Sequence, residues 1–538
     1  PFVLFAGIQF LPFQTYAFRN VIDAIPRNTD QSVFLRISYH IYEALVAGDY
    51  REAFSYALNN LGQGGYAGLC TLLLFLLGNN RFSLLLANFF CLLLSEVMGF
   101  FCLKRISGKN FVGWMFIGLY LMSNTAFFEA GDLLDYRIDF AASCMYTCWS
   151  CSFLLFRDTG SKKYGYLSAV FMGILILFRL NTIVYLGVAI VLFEVGRWFI
   201  FQGREQWKEL KHEIKYLFKY AMVVFVSGGW YLLIQLKNFI NYYVTAHVQG
   251  EEPLIRALEQ GVTNLFQNLM FYPKMVYENH LGKNLSILIV IIVIVICGLL
   301  LYKKKIDGID ISKKERASLW FMLCAIISPI IVLTVDLSKS AVVIGIITGS
   351  IVAFVCYLTT LAFSRLILQR ILVVLSVVCL SLGAVNYMKN TTTMHQGYDK
   401  ETQNILLEIN KTVADYIVDN QLNNPLLLLD RTTDGVTIDT VTTYLYESEK
   451  VFIELGYATS MGVASEFTES DILEGLEKAD VVIISPKSYS DKTGYITDES
   501  FDEYRGLMWN YATENMHLLN TVIWGNDLIA IFGKNAEK

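Results

Sequence analysis

Ile25-Pro-Arg-Asn-Thr-Asp30-Gln-Ser-Val-Phe-Leu35 is the segment on which the reading of this chain turns. An apolar run ending near Phe13 precedes it. Beyond it, Gly62-Gln-Gly-Gly-Tyr-Ala-Gly68 and Leu72-Leu-Leu-Phe-Leu-Leu-Gly78 lead into a second apolar run that closes at Leu103-Lys-Arg105. A polar segment carrying the lone carboxylate of Asp30, with a helix-like stretch at 39–45 behind it, therefore lies between two membrane-crossing runs. A carboxylate held just outside a bilayer is a candidate for chemistry on a substrate at that surface.

The same apolar character extends over the whole chain. Of 538 residues, 54% are hydrophobic and only 17% charged, and the mean hydropathy is +0.45, far above that of an ordinary soluble protein. The expected fold class is a polytopic α-helical membrane protein. The net charge of −5 is dispersed over alternating loops, and with no basic stripe to hold phosphodiesters, no nucleic-acid partner is expected. The chain opens at Pro1 inside an apolar run with neither Met nor a basic lead, so its start reads as cut short rather than as a signal peptide.

Apolar runs near the bilayer-crossing length recur at 1–13, 82–103, 111–127, 140–156, 164–178, 182–200, 216–236, 285–302, 317–335, 340–363 and 366–388, about eleven transmembrane helices. Lys104, Arg105 and Lys109, then Arg157, Lys162 and Lys163, then the stretch 197–215, 303–316, and Arg365 with Arg370 make every second connection basic. Those connections are assigned to the cytoplasm. The remaining ones, 14–81, 128–139, the turn at Arg179, 237–284, the turn at Asp336 and everything after Lys389, then lie outside.

The composition changes after Lys389, which divides the chain into a transmembrane domain, 1–388, and an extracytoplasmic domain, 389–538. In the latter, Asn424-Pro-Leu-Leu-Leu-Leu-Asp430 and Ala479-Asp-Val-Val-Ile-Ile-Ser485 read as buried strands and 399–420 and 471–478 as helices. The stretch 521–532 reads as a hairpin turning at Gly525-Asn526, so an α/β domain is expected. All ten cysteines lie in or beside apolar runs, which argues against a disulfide framework. Cys144, Cys148 and Cys151 share a helical face but have no fourth ligand nearby, and read as small packing residues. Gly62 to Ala67 fits a loose dinucleotide-loop pattern without a preceding strand, and reads as a turn entering an interfacial helix.

Chemistry-bearing residues gather in the outer connections. Glu129-Ala-Gly-Asp132-Leu-Leu-Asp135-Tyr-Arg137-Ile-Asp139 is a second acidic cluster, and a helix beginning within it would set Asp132, Asp135 and Asp139 on one face. Hydrated helix-capping acids are the alternative reading. Arg179, in Leu177-Phe-Arg-Leu-Asn-Thr182, stands where a charge is costly unless it lines a polar cavity, and its planar fork suits phosphate; snorkelling to the interface is its alternative. Arg27, Arg137, Lys237, Lys274 and Lys283 are further cations for an anionic donor. Tyr242, Tyr243, Phe271, Tyr272 and Tyr277 cluster in the long outer loop, either to stack on sugars and grip an apolar tail or to anchor at the interface.

Taken in order, Asn28-Thr-Asp30-Gln-Ser-Val-Phe-Leu35, Leu45-Val-Ala-Gly-Asp-Tyr50, the helix ending Phe75-Leu-Leu-Gly-Asn-Asn80, the span ending Leu103-Lys-Arg105, an acidic second outer loop and a polar C-terminal part resemble the GT-C superfamily of integral-membrane glycosyltransferases. That group contains the protein O-mannosyltransferases and the lipid A aminoarabinose transferases. The resemblance implies an inverting transfer of a sugar from a polyprenyl-phosphate donor to the hydroxyl of a saccharide, lipid or protein at the outer face of a bacterial plasma membrane, among membrane lipids. It places Asp30 at the first-loop catalytic acid and one of Asp132, Asp135 or Asp139 at the second. Many relatives carry a second acid where this chain has Gln31, which leaves open whether one carboxylate suffices or a divalent metal takes part.

A carboxylate within hydrogen-bond reach of an acceptor hydroxyl is a suitable general base, which agrees with that resemblance on chemical grounds. The competing class is a transporter or flippase of lipid-linked sugars, with ionisable groups deep in several spans and inverted repeats. Glu96 and Glu194 are the clear mid-span acids, and no repeat is evident. A non-catalytic anchor is a third reading, and it leaves two acid-rich outer loops unexplained.

Overall fold

A computed structural model describes residues 2–60, 64–128, 131–200, 206–246, 252–307, 311–362, 366–393, 398–430, 435–459, 467–485 and 501–535. Gly62, Gln63 and Glu129 lie outside the described residues, as does the side chain of Tyr243. The chain forms two compact units. The helical unit comprises Pro1–Thr15, Leu58–Leu69 and Leu85–Met394; the sheet-bearing unit comprises Tyr16–Ala57, Cys70–Leu84 and His395–Lys538.

Seven helices among the described residues are long and apolar enough to cross a membrane: Arg81–Ser107, Ile138–Thr159, Lys215–Ile234, Lys283–Tyr302, Lys313–Val335, Val343–Ala362 and Gln369–Thr391. The other four apolar runs also fall on helices, Phe2–Asn20, Asn110–Met122, Lys162–Phe178 and Thr182–Ile200. The run at 111–127 is broken after Met122, where Ser123 caps the helix with an extended backbone and a short 3-10 turn follows at Thr125–Phe127.

Ile138–Thr159 is the most enclosed of the spans, and its composition explains why. Ser143, Cys144, Thr147, Cys148, Ser150 and Cys151 are small enough for neighbouring helices to approach closely, as membrane packing requires. Ser350 donates to the Ser150 hydroxyl at 2.9 Å, Tyr146 to the Ala325 carbonyl at 2.6 Å, and a Cβ on Gly349 would collide with Thr147. Gly118 and Gly383 bring the backbones of Asn110–Met122 and Leu366–Thr393 into direct contact; a methyl group at either would strike the other helix.

In the sheet-bearing unit, β1 (Leu426–Leu429), β2 (Gly456–Tyr457), β3 (Val481–Ile484), β4 (Met516–Trp524) and β5 (Asp527–Lys534) form one sheet in the order β2-β1-β3-β5-β4. β1 runs parallel to β2 and β3, while β5 is antiparallel to β3 and β4. Strand alternation sorts the side chains to two faces. Leu427, Leu429, Val481 and Ile483 pack with the helices Lys400–Asp419 and Ile438–Glu449. Leu428, Val482 and Ile484 pack with Glu469–Lys478 and Arg505–Asn515. Ile25 belongs to the first cluster, so the juxtamembrane segment contributes to the core of this unit. Its helix Thr29–Val46 begins at Asn28, whose side chain accepts the N–H of Gln31 at 2.8 Å.

Candidate functional site

Within the helical unit, the second acidic cluster is a buried loop rather than a helical face. The helix starts at Ile138, so Asp132 and Asp135 precede it and the shared-face expectation fails for them. Asn88, fully buried on Arg81–Ser107, ties the loop down: its amide donates to the carbonyls of Asp132 at 3.3 Å and Asp135 at 2.8 Å and accepts from the Tyr66 hydroxyl at 2.9 Å. The Asp132 carboxylate accepts the N–H of Leu134 at 2.7 Å and that of Asp135 accepts Gly131 N–H at 2.8 Å. Both acids therefore face their own loop, the arrangement that short polar side chains adopt in turns.

Asp139, in the first helical turn, is placed differently. Its Oδ1 binds the Nη1 of Arg179, and its Oδ2 lies 3.4 Å from the Nε of Arg137. Gly131 permits this close passage: its φ of +70° suits glycine, and a Cβ there would press on the Asp139 side chain. Arg179 is extended at the break between Lys162–Phe178 and Thr182–Ile200, with its Nε donating to Asn181 Oδ1 at 3.1 Å. Two guanidinium groups thus share one carboxylate at a helix break, and their planar forks suit the oxygens of a phosphate.

Beside this triad are groups that the sequence did not single out. His280 donates from Nε2 to the Ala341 carbonyl at 2.7 Å, and burial pushes its pKa down to about 4 against the opposing pull of that carbonyl and Asp139. The buried Lys339 ammonium donates to the carbonyls of Leu333 at 3.0 Å, Thr334 at 3.2 Å and Asp336, closing the end of Lys313–Val335. It also rests 5.3 Å from the centre of the buried Tyr272 ring. Of the loop cations, Lys274 and Lys283 lie exposed on either side of Glu278, at 3.9 and 3.8 Å.

In the sheet-bearing unit, Asp30 is exposed in the first turn of Thr29–Val46, where the helix dipole favours an acid. The backbone of Arg27 donates to the Gln31 side chain at 2.9 Å. Asp30 lies within electrostatic reach of the buried Asp439, whose Oδ1 takes the Nε of Arg36 at 2.5 Å. Burial raises the Asp439 carboxyl above its ordinary range; Arg36 opposes that shift and the charge of Asp30 adds to it. Among the described residues, no group of three or more His, Cys, Asp and Glu side chains is gathered to hold a metal ion.

No family model and no curated protein matches the sequence. Solved structures do match. The chain is similar to ArnT from Cupriavidus metallidurans bound to undecaprenyl phosphate, with a TM-score of 0.58 and 13% identity over 98% of this chain and 97% of that one. The apo state of ArnT gives the same values. The apo oligosaccharyltransferase of Archaeoglobus fulgidus gives a TM-score of 0.49 at 10% identity, over 89% of this chain and 69% of that one. Across nearly its whole length this chain has the fold of ArnT, a fold that the resemblance in its sequence implied.

Proposed function

We propose that this protein is a membrane glycosyltransferase that moves a sugar from a polyprenyl-phosphate donor to an acceptor hydroxyl at the outer face. The observation that carries this reading is the Arg137–Asp139–Arg179 triad, two guanidinium forks gathered at a helix break, in a chain with the fold of a protein solved with undecaprenyl phosphate. Arg179 and Arg137 take the donor phosphate, and Asp139 holds them. A carboxylate general base accepts the proton as the hydroxyl oxygen bonds to the anomeric carbon, the role that the sequence resemblance gives to Asp30. The bond from that carbon to the phosphate oxygen breaks, polyprenyl phosphate leaves with the electron pair, and a single displacement inverts the anomeric configuration.

Residues 1–388 then carry the transmembrane catalytic part, with about eleven spans of the bilayer, and 389–538 an extracytoplasmic α/β domain to whose compact unit the segments 16–57 and 70–84 also belong. The test is direct. Purified protein is incubated with a panel of polyprenyl-phosphate sugars, and donor consumption and thermal stabilisation are recorded. One donor that stabilises the protein and is consumed when an acceptor is added supports the reading; none that does either removes it.

A further inference from the structure

The helix Leu265–Met275 divides into three longitudinal strips. Its inward strip, Asn268, Phe271, Tyr272 and Met275, recurs at helical spacing; Phe271 and Tyr272 are buried, and Asn268 donates to the Thr334 carbonyl at 3.2 Å. At about 100° per residue, Leu265, Leu269, Pro273, Phe266 and Met270 form a contiguous apolar arc of about 140°. Leu265 and Phe266 are each 73% exposed on that arc, with Leu269 at 52% and Met270 at 47%. Gln267 and Lys274 make an exposed polar seam along its edge. Leu254 and Leu258 expose a second apolar pair on the short helix Glu252–Glu259.

We propose that Leu265–Met275 lies flat in the interfacial layer of the membrane, with its apolar arc among lipid acyl chains and its Gln267/Lys274 seam in the headgroup layer. Two observations favour lipid as the occupant. The anchor at Thr334 is at the end of Lys313–Val335 opposite its basic start at Lys313, Lys314 and Arg316, which is where a membrane surface crosses that span. The span's own exposed apolar stripe, Ile327, Ile331 and Val335, runs up to the residue beside that anchor, so the arc continues a surface that already requires hydrocarbon. The strips themselves match those of a helix that lies in the plane of a membrane rather than across it.

The test uses full-length protein in lipid nanodiscs with Cys297→Ser, because that cysteine is exposed. Nitroxide labels are placed singly at Phe266→Cys, Leu269→Cys and Gln267→Cys, all at exposed positions. Collisions with oxygen and with a nickel chelate report lipid and water, respectively. Expected are labels at 266 and 269 several-fold more accessible to oxygen than to nickel, with the ratio falling sharply at 267. Nickel access at 266 and 269 would overturn the proposal. So would short spin–spin distances between copies, which make a second copy the occupant, or a loss of oxygen access on adding polyprenyl phosphate, which makes the donor tail the occupant.

Discussion

Replacing Arg179 by alanine isolates the phosphate seat. Arg179→Ala removes one of the two guanidinium forks that meet at Asp139, and with it one unit of positive charge. Opposite unit charges at about 4 Å attract by about 4 kcal/mol at an effective dielectric constant of about 20. Desolvation cancels part of that, leaving about 1.5–3 kcal/mol for a hydrogen bond to a charged group. Donor affinity should fall about 10- to 150-fold. Arg179→Lys should recover only part, since a compact ammonium cannot reproduce the planar fork. The alanine variant should still fold, because Asp139 keeps Arg137 at 3.4 Å. Titration calorimetry with a polyprenyl-phosphate sugar gives the dissociation constants, and a melting curve establishes folding. If Asp139 acts by holding Arg179, the affinity lost in Asp139→Asn should largely vanish when Arg179 is already alanine, as a double-mutant cycle reports. Folded Arg179→Ala with a donor affinity within about twofold of wild type would refute the phosphate role, since the argument needs at least the lower end of the range above.

Asp30→Asn should lower transfer by about 10²- to 10⁴-fold while donor affinity stays near wild type, and a rate within a few-fold of wild type would remove the carboxylate from the mechanism. A cysteine at the exposed Ser470 should react with an impermeant maleimide in intact cells, whereas one at Lys313 should not; reversed labelling would invert the topology. His280 predicts a pH dependence of stability. Its folded pKa, about 4, lies below the ordinary value of 6.5, so between those values the unfolded chain binds more protons and stability falls as pH falls. The full loss is about 3 kcal/mol, of which about 2 is gone by pH 5. The drop in melting temperature from pH 7 to pH 5 should shrink in His280→Asn, and an unchanged drop would refute the assignment.

What the sequence reveals here follows the range of the interaction. The strands at 426–429 and 481–484 were readable because each is a short apolar run between polar ends, and the helix expected at 399–420 forms at Lys400–Asp419 because Asp399 caps it locally. The helix behind Asp30 begins ten residues earlier than the stretch at 39–45, although Asn28 and Gln31 already had cap spacing. Arg179 stood out as a charge between two apolar runs. The loop at Asp132 and Asp135 did not reveal itself, because acids three and four residues apart fit a helix as well as a turn, and the deciding partner, Asn88, lies 44 and 47 residues away. Arg36 and Asp439 are separated by 403 residues, and nothing local marks either as the other's partner.

The composition of the sheet-bearing unit constrains the order in which the protein can be made. Arg81 forms a bidentate pair with Glu447, 366 residues later, and the Tyr39 hydroxyl donates to that same carboxylate at 2.6 Å. At about 5–20 residues per second, roughly 20–70 s of synthesis separates the arginine from its partner. During that interval Arg81 and Arg36 are without Glu447 and Asp439, and Ile25 lacks the sheet it packs against. The core around Ile25 cannot close until the strands at 426–429 and 481–484 have been made. A ribosome that stops before Asp439 would therefore leave more than a shortened chain: the helix Thr29–Val46, which bears Asp30, would lack the partners of its Arg36 and Tyr39.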